Sequence, residues 1–265
     1  MKMIDGIKVL ERSDIERKAP SFYATAPRSD VSDRYAFLDT AAIARTLWGL
    51  GWMPTSIEEM RANKTENYGF QKHMIRFSHP DFSNREERIE LVGVNSHNRA
   101  CPFEFMAGVF RLVCSNGMIA QTGDFGSFKI RHIGDISDQV QRGVERIAVE
   151  SKVIATRMGE FKEIQLSRDE QVVYAGIVNG FVNGDSPPIT NQRLLTTRRS
   201  VDRDKNDLWT TYNVVQENLM KGGLRGFNSK NRRTTTRPIK NIDRNIKLNQ
   251  ALWSLTEKMA ELKTA

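Results

Sequence analysis

The sequence predicts an α+β fold: an antiparallel sheet packed by a long helix, with a helical and basic C-terminal segment. Strand-like segments between Trp52 and Ile130 follow one another through short links, which is typical of antiparallel pairing. After Ile136 the period changes, and apolar residues recur at alternating intervals of four and three, as on one face of a helix. Basic residues dominate beyond the helices that follow.

The chain is predicted to have three parts. Residues 1–39 form an irregular N-terminal arm, because prolines and Ser/Asp clusters interrupt any regular pattern. Residues 40–185 form the α+β core domain, and residues 186–265 form the basic C-terminal helical segment. Thr40 is the predicted cap of a short helix that Gly51 ends.

Three segments carry the prediction of a sheet. Phe70–Phe77 partly alternates between apolar and polar residues, and His79-Pro80-Asp81 is predicted to stop it. Ile89–Ser96 is apolar enough for a strand that is covered on both faces. Phe103–Cys114 is rich in Phe and Val, and Ser115-Asn116-Gly117 then predicts a tight hairpin turn.

Two helices are predicted to follow the sheet. The first runs from Ser137 to Phe161 and carries a continuous apolar stripe. Ser167 and Glu170 form a capping-box pattern that opens the second helix, and Gly184–Pro188 ends it. The apolar residues of the second helix are Val172, Val173, Ile177 and Phe181.

The basic segment is predicted to contain a helix, a long loop and a final helix. Gly222-Gly223 ends the first of these helices. Residues 224–244 are basic and rich in Thr and Asn, and they predict a loop, which at this length is usually functional or disordered. Leu248–Leu262 predicts the final amphipathic helix. The inner residues of the first helix are predicted to be Trp209, Tyr212, Val215, Gln216 and Leu219.

The composition excludes two broad classes of protein. With 39% hydrophobic and 27% charged residues in a chain of 265, the sequence can bury a core, which excludes wholesale disorder. It has no run of eighteen apolar residues, and its first residues do not resemble a signal peptide. Its two cysteines, Cys101 and Cys114, are too few for a disulfide framework. We therefore expect a soluble cytoplasmic protein without a membrane partner.

The sequence offers no catalytic constellation. It contains no P-loop, no His-Glu-x-x-His helix and no Gly-x-Ser-x-Gly elbow, so we expect no enzyme activity, no catalytic residues and no cofactor. Asp124 is interpreted as a turn residue. Four residues offer metal-binding atoms, but their spacing fits no zinc signature, and we expect no metal. They are His97, Cys101, Cys114 and His132.

The net charge of +8 is concentrated in one segment. Between Thr190 and Lys247 the chain holds 14 Lys and Arg but only 5 Asp and Glu, whereas the rest is close to neutral. Such a concentration of positive charge favours a polyphosphate partner. An anionic lipid surface is less favoured, because the segment lacks a broad apolar face for insertion.

Guanidinium groups and hydroxyls together are typical of phosphate binding, and this segment combines them in two clusters. Phe227 adds a ring on which a base can stack. Basic residues of the predicted strands add a second group if they lie on an open sheet face. The candidate nucleic-acid-binding residues are Arg198, Arg199, Lys230, Arg232, Arg233, Arg237 and Lys240, with Lys72, Arg76 and Arg111 from the strands.

Arg111–Gly117 reads R-L-V-C-S-N-G. This motif resembles the hallmark of a domain-of-unknown-function family found in phages, plasmids and bacterial genomes. The likeness continues in Leu208–Asn213, in Gly222-Gly223, in the Arg-Thr cluster at Arg232–Arg237 and in Leu252-Trp253, and it covers most of residues 35–262. The family has no settled enzyme activity, so the likeness carries over no catalytic residues.

The order of elements also resembles the core of phage single-strand annealing proteins of the Red-beta and Erf type. Those recombination proteins form rings or filaments and hold single-stranded DNA in a basic groove without nucleotide hydrolysis. This likeness is one of fold alone. Together with the basic segment, it leads us to expect an ATP-independent DNA-binding protein, preferring single strands, in phage or mobile-element recombination.

Two other classes of function stay open. An interaction protein that binds a host or replication protein would fail to bind an oligonucleotide at moderate salt. An unrecognised nuclease-like enzyme would consume its substrate in the presence of Mg²⁺, and changing an acid such as Asp124 would abolish that loss.

Self-association is predicted from the edges of the sheet. A sheet edge must be covered, charged or paired, and pairing with the opposite edge of a second copy builds a ring or filament. The alternative is that residues 1–39 fold over the edge and leave a monomer.

Overall fold

The computed structural model describes residues 2–31, 37–84, 86–112, 116–119, 128–130 and 136–264. The chain divides into two compact units. The first comprises Met1–Leu112 with Gly117–Lys152, and the second comprises Val113–Asn116 with Val153–Ala265. The boundary after residue 152 thus lies inside the predicted long helix, whereas the sequence placed a boundary after residue 185.

The elements up to that helix confirm the predicted α+β class. Helices are α1 (Arg12–Lys18), α2 (Thr40–Gly49) and α3 (Ile136–Glu163), with 3-10 turns at Pro20–Tyr23 and Thr65–Asn67. Strands are β1 (Lys2–Ile4), β2 (Ile7–Val9), β3 (Met53–Glu59), β4 (His73–Ser83), β5 (Glu87–Asn95), β6 (Phe103–Arg111), β7 (Asn116–Ile119) and β8 (Phe128–Ile130).

The main sheet has the strand order β3-β4-β5-β6-β7, and β8 also pairs with β6. Its neighbouring strands run antiparallel, with Ile75 of β4 opposite Gly93 of β5 and Gly93 opposite Phe105 of β6. The long helix packs on this sheet at Gly143, where an added Cβ would lie 2.9 Å from Phe128 and 3.1 Å from Phe105. The predicted packing of a long helix on an antiparallel sheet is confirmed.

Strand β4 continues past the residues that were predicted to stop it. Its pairing with β5 is interrupted between Ser78 and Ser83 and then resumes opposite Arg88. Pro80 has no backbone N–H for the ladder, so this interruption is what a proline in a strand imposes. Trp52 stacks on Phe82 with ring centroids 5.5 Å apart. This contact packs the extended end of β4 against the residue that precedes β3.

The N-terminal segment is ordered against β3 and is not the irregular arm that the sequence predicted. Strands β1 and β2 form a hairpin, and the buried side chains of Ile7 and Val9 cluster with Met53. The backbone N–H of Leu10 donates to the carbonyl of Pro54 at 2.7 Å. This edge of the main sheet is therefore covered where β3 begins.

A buried polar cluster joins this segment to α2 and the sheet. His73 Nδ1 lies 2.7 Å from Ser21 Oγ, and His73 Nε2 lies 3.1 Å from Thr40 Oγ1. Asn95 Nδ2 donates to the same threonine oxygen at 2.8 Å, and His97 Nε2 lies 3.4 Å from it. Burial lowers the pKa of His73 to about 3 and that of His97 to about 4, so both rings are neutral near pH 7.

The predicted helix cap at Thr40 is corrected by one residue. Asp39 is the N-cap, and its Oδ1 accepts from the N–H of Ala42 at 2.9 Å. Thr40 is instead the first helical residue, and its hydroxyl belongs to the buried polar cluster.

The second unit is helical, with one small hairpin. After the last part of α3 come α4 (Arg168–Asn183), α5 (Asn191–Leu194), a 3-10 turn at Ser200–Asp202, α6 (Leu208–Lys221), β9 (Arg225–Phe227), β10 (Arg233–Thr235) and α7 (Ile242–Thr264). The predicted capping box at Ser167 and Glu170 is present, and Gly222 ends α6 with a φ of 60°.

An aromatic cluster forms the core of this unit. Trp209 stacks on Tyr212 at a centroid distance of 5.3 Å, and Trp253 meets both rings edge-on. Phe161, at the end of α3, contacts Trp253 at 5.6 Å, which explains why the end of this helix belongs to the second unit. Every predicted inner residue of α6 is buried.

Two features of this unit differ from the sequence analysis. Residues 224–244 are not a loop, because they hold the β9–β10 hairpin and the start of α7. On α4, Tyr174 and Val178 are buried, whereas Val173, Ile177 and Phe181 are more than half exposed.

Candidate nucleic-acid interface

Alternation along the β9–β10 hairpin places four side chains on one face. Arg233 pairs with Phe227, and Thr235 pairs with Arg225, in antiparallel register. Because paired residues share a face and strand side chains alternate, these four point to the same side. All four residues are exposed. We call this surface the outward face of the hairpin.

The opposite face of the hairpin lies against the chain between α4 and α5. A Cβ added at Gly226 would lie only 1.8 Å from the carbonyl oxygen of Pro188, so glycine is required at this close approach. The neighbouring N–H of Phe227 donates to the same Pro188 oxygen at 2.8 Å. These contacts hold the hairpin by its backbone and leave the outward face open to solvent.

Asn228 organises the tip of the hairpin. Its side-chain Oδ1 accepts from the N–H groups of Lys230 and Arg232, both at 3.0 Å. Its backbone carbonyl accepts from Asn231 at 2.9 Å, and Asn231 has a φ of 53°. Lys230 and Arg232 lie at this Asx-type turn, and both are exposed.

Six exposed basic residues lie on the hairpin or directly after it. None of them forms an ion pair with an acid in the part of the chain that the structure describes. Unpaired guanidinium and ammonium groups are available to phosphate oxygens. The six are Arg225, Lys230, Arg232, Arg233, Arg237 and Lys240. Five were candidates from the sequence, and Arg225 was missed because it stands apart from the two clusters.

The other arginine pair of the basic segment is used within the fold. Arg198 Nε donates to Asn218 Oδ1 at 2.6 Å, and its Nη2 donates to the carbonyl of Gly222. Arg199 forms an ion pair with the buried Glu217 at 3.0 Å, and Lys221 reaches the same carboxylate at 2.6 Å. Arg198 and Arg199 therefore brace the end of α6.

The strand residues do not form an open basic face. Arg76 and Arg111 are buried, with 3% and 6% of their surface exposed, and Lys72 is half-buried. Arg76 Nη1 donates to Glu90 Oε2 at 3.0 Å and to the carbonyl of Met118 at 3.1 Å. The prediction that Arg76 and Arg111 lie on an open sheet face is therefore wrong.

The candidate metal-binding residues are only partly described by the structure. Among residues with a described position, no three His, Cys, Asp or Glu side chains are grouped to hold a metal ion. Cys114, His132 and Asp124 lie outside the described residues, as does the centre of the R-L-V-C-S-N-G motif. In the same described ranges, no helix is both long and apolar enough to cross a membrane.

Fold and site together define an α+β protein with an exposed basic and aromatic hairpin. The chain belongs to the family of the domain of unknown function DUF932, whose model matches residues 27–253. It is 30% identical over 259 residues to the UPF0380 protein YfjQ of Escherichia coli (strain K12), covering 94% of this chain and 90% of that protein. It is 31% identical, with the same coverage, to the UPF0380 protein YafZ of the same strain. No solved structure matches the chain.

Proposed function

We propose that this protein binds single-stranded DNA, without nucleotide hydrolysis, through the outward face of the β9–β10 hairpin. The observation that carries the proposal is the arrangement of Arg225, Phe227 and Arg233 on one exposed face. Two cations beside an aromatic ring match the needs of a nucleic acid strand, because phosphates pair with cations and bases stack on rings.

The aromatic ring favours a single strand over a duplex. Phe227 is 54% exposed and lies directly opposite Arg233. In a duplex the base faces are already stacked on one another, so this ring gains a partner only from an unpaired base. The basic tip at Lys230 and Arg232 extends the same surface along the phosphate backbone.

A role in recombination of phage or mobile-element DNA is the wider part of the proposal. It is supported by the order of elements, which resembles that of single-strand annealing proteins, and by the absence of a P-loop from the sequence. Base stacking and phosphate pairing without base-edge readout make the expected binding largely independent of sequence.

Anisotropy of a labelled single-stranded oligonucleotide, titrated at several salt concentrations, tests the binding surface. In Arg225→Ala/Arg233→Ala we expect weaker binding and a salt slope smaller by about 0.7 for each lost phosphate contact. In Phe227→Ala we expect a loss of about 1–3 kcal/mol with an unchanged salt slope, because stacking releases no counterions.

Arg203→Ala is the matched control, since Arg203 is an exposed arginine of the same basic segment and lies outside the hairpin. Its affinity should equal that of the unchanged protein. If Arg203→Ala loses as much affinity per removed charge as Arg225→Ala/Arg233→Ala, and Phe227→Ala loses none, only net charge matters and the assignment to the hairpin is overturned. No binding by the unchanged protein at moderate salt would favour the interaction-protein alternative.

A further inference from the structure

A cavity of about 300 Å³ lies beside the hairpin, within the second unit. Its walls come from the end of α4 and the residues after it, the end of α6, β10 and the residues after it, and the first turn of α7. Thr235 belongs both to this wall and to the outward face of the hairpin. The cavity therefore adjoins the outward face at Thr235.

The cavity is lined by both apolar and polar residues. Its apolar lining includes Val182, Pro188 and Leu219. Its polar lining includes Arg237, Arg244 and Thr234. No carboxylate lines it, and neither arginine forms an ion pair with a described acid. Such a lining suits a ligand in which an anionic group is joined to a planar ring system.

The amides in the wall differ in their availability. Asn218 is fully used, because its Nδ2 donates to the carbonyls of Leu194 and Thr196 at 2.8 Å and its Oδ1 accepts from Arg198. Asn183 donates from Nδ2 to Asn179 at 2.9 Å, and its Oδ1 accepts no hydrogen bond from the described residues. An exocyclic amine of a base is a donor that this oxygen can accept.

We propose that the cavity binds one nucleotide. The phosphate lies between Arg237 and Arg244, and the base lies against the apolar residues of the lining. The volume of the cavity is at the lower end of ligand pockets, which fits one nucleotide unit and leaves no room for a second. The inference deepens the proposed function and rests on it, because the nucleotide belongs to the bound single strand.

Calorimetric titration of the full-length protein with a deoxynucleoside 5′-monophosphate, with inorganic phosphate and with the nucleoside tests this site. We expect the monophosphate to bind at least about tenfold more tightly than inorganic phosphate or the nucleoside, because both the apolar and the polar residues of the lining contribute. Arg244→Ala should weaken monophosphate binding about tenfold, whereas Arg203→Ala should leave it unchanged.

A second pair of variants separates the cavity from the outward face. Val182→Trp fills the cavity from α4, and Val173→Trp places the same side chain on an exposed position of the same helix. Val182→Trp should abolish monophosphate binding and retain part of the oligonucleotide binding. Val173→Trp should retain both. Circular dichroism checks that each variant is folded. If Val182→Trp does not fold, Arg244→Ala still tests the cavity.

The outcomes distinguish this inference from the proposed function. Oligonucleotide binding without monophosphate binding would overturn the nucleotide site and leave the hairpin surface standing. Monophosphate binding without oligonucleotide binding would overturn the proposed function alone. Equal affinity for phosphate and monophosphate would reduce the cavity to an anion site and would overturn the placement of the base.

Discussion

Arg76 and Glu90 form a buried ion pair across neighbouring strands, with Nη1 and Oε2 3.0 Å apart. Burial raises the pKa of Glu90, and the positive charge of Arg76 opposes that rise. Ser78 donates to the same carboxylate at 3.3 Å. The backbone makes room for the guanidinium at Gly117, where a Cβ would lie 2.5 Å from its central carbon.

We therefore expect Arg76→Ala to lower the free energy of unfolding by about 3–5 kcal/mol, since it leaves a buried carboxylate without its partner. The double variant Arg76→Met/Glu90→Leu should recover most of that loss. Urea unfolding followed by circular dichroism measures both. If Arg76→Ala has unchanged stability but weaker DNA binding, Arg76 contributes to binding and not to the stability of the sheet.

Gly226→Ala is expected to release the hairpin, because its Cβ would overlap the Pro188 carbonyl. Limited trypsin digestion should then cleave at Arg225 and Lys230 faster than in the unchanged protein, and oligonucleotide affinity should fall. Gly180→Ala is the control, since its Cβ meets no atom within 4 Å. Equal cleavage rates in the two variants would contradict the role of this contact.

Stability should fall as the pH drops below about 6.5. His73 and His97 bind protons more weakly in the folded chain, with pKa values of about 3 and about 4, than in the unfolded chain. Between these values and 6.5 the unfolded state therefore takes up more protons and is favoured, by about 1.4 kcal/mol per pH unit for each histidine. The raised pKa values of Glu59 and Glu90 act in the opposite sense as the pH falls from those raised values to the ordinary value of 4.5, because the folded state then binds these protons more tightly than the unfolded state.

The pH dependence is measured by urea unfolding between pH 7.5 and 4.5. His73→Gln removes one of the two groups, so its stability should change less steeply with pH. The same slope in both proteins would exclude His73 as a source of the effect.

Self-association stays a prediction, and the structure sharpens it. Leu10 already bonds Pro54 where β3 begins, so a head-to-tail contact through strand edges requires the N-terminal segment to leave this edge. We expect light scattering at micromolar concentration to show a ring or filament mass when oligonucleotide is present. A mass near 30 kDa with and without oligonucleotide would leave a monomer whose edge is covered.

Much of the fold was predictable because it depends on local periodicity. Strands β4, β5 and β6 were expected from the apolar residues in their segments, and α3 follows a single stripe that ends near Phe161. The capping box at Ser167 needs only one further residue, Glu170. Patterns of this kind are complete within a few turns or strand residues.

The proposed binding surface was less predictable because it depends on distant contacts. Strands of three residues, such as Arg225–Phe227, are too short to show apolar alternation. Their pairing depends on the meeting of Gly226 with Pro188, which are far apart in the sequence. The burial of Arg76 likewise depends on Glu90, on a neighbouring strand, so a basic strand residue read alone was assigned to the surface.

The attachment of the hairpin has a consequence for how the proposed binding surface can be altered. Its contact with the rest of the unit uses a backbone N–H, a carbonyl and a glycine, so the fold places little demand on the side chains at Arg225, Phe227, Arg233 and Thr235. These four positions should therefore accept other residues that have sufficient β propensity. We expect a library randomised at only these positions to keep the backbone of the hairpin unchanged while it varies the chemistry of the proposed binding surface.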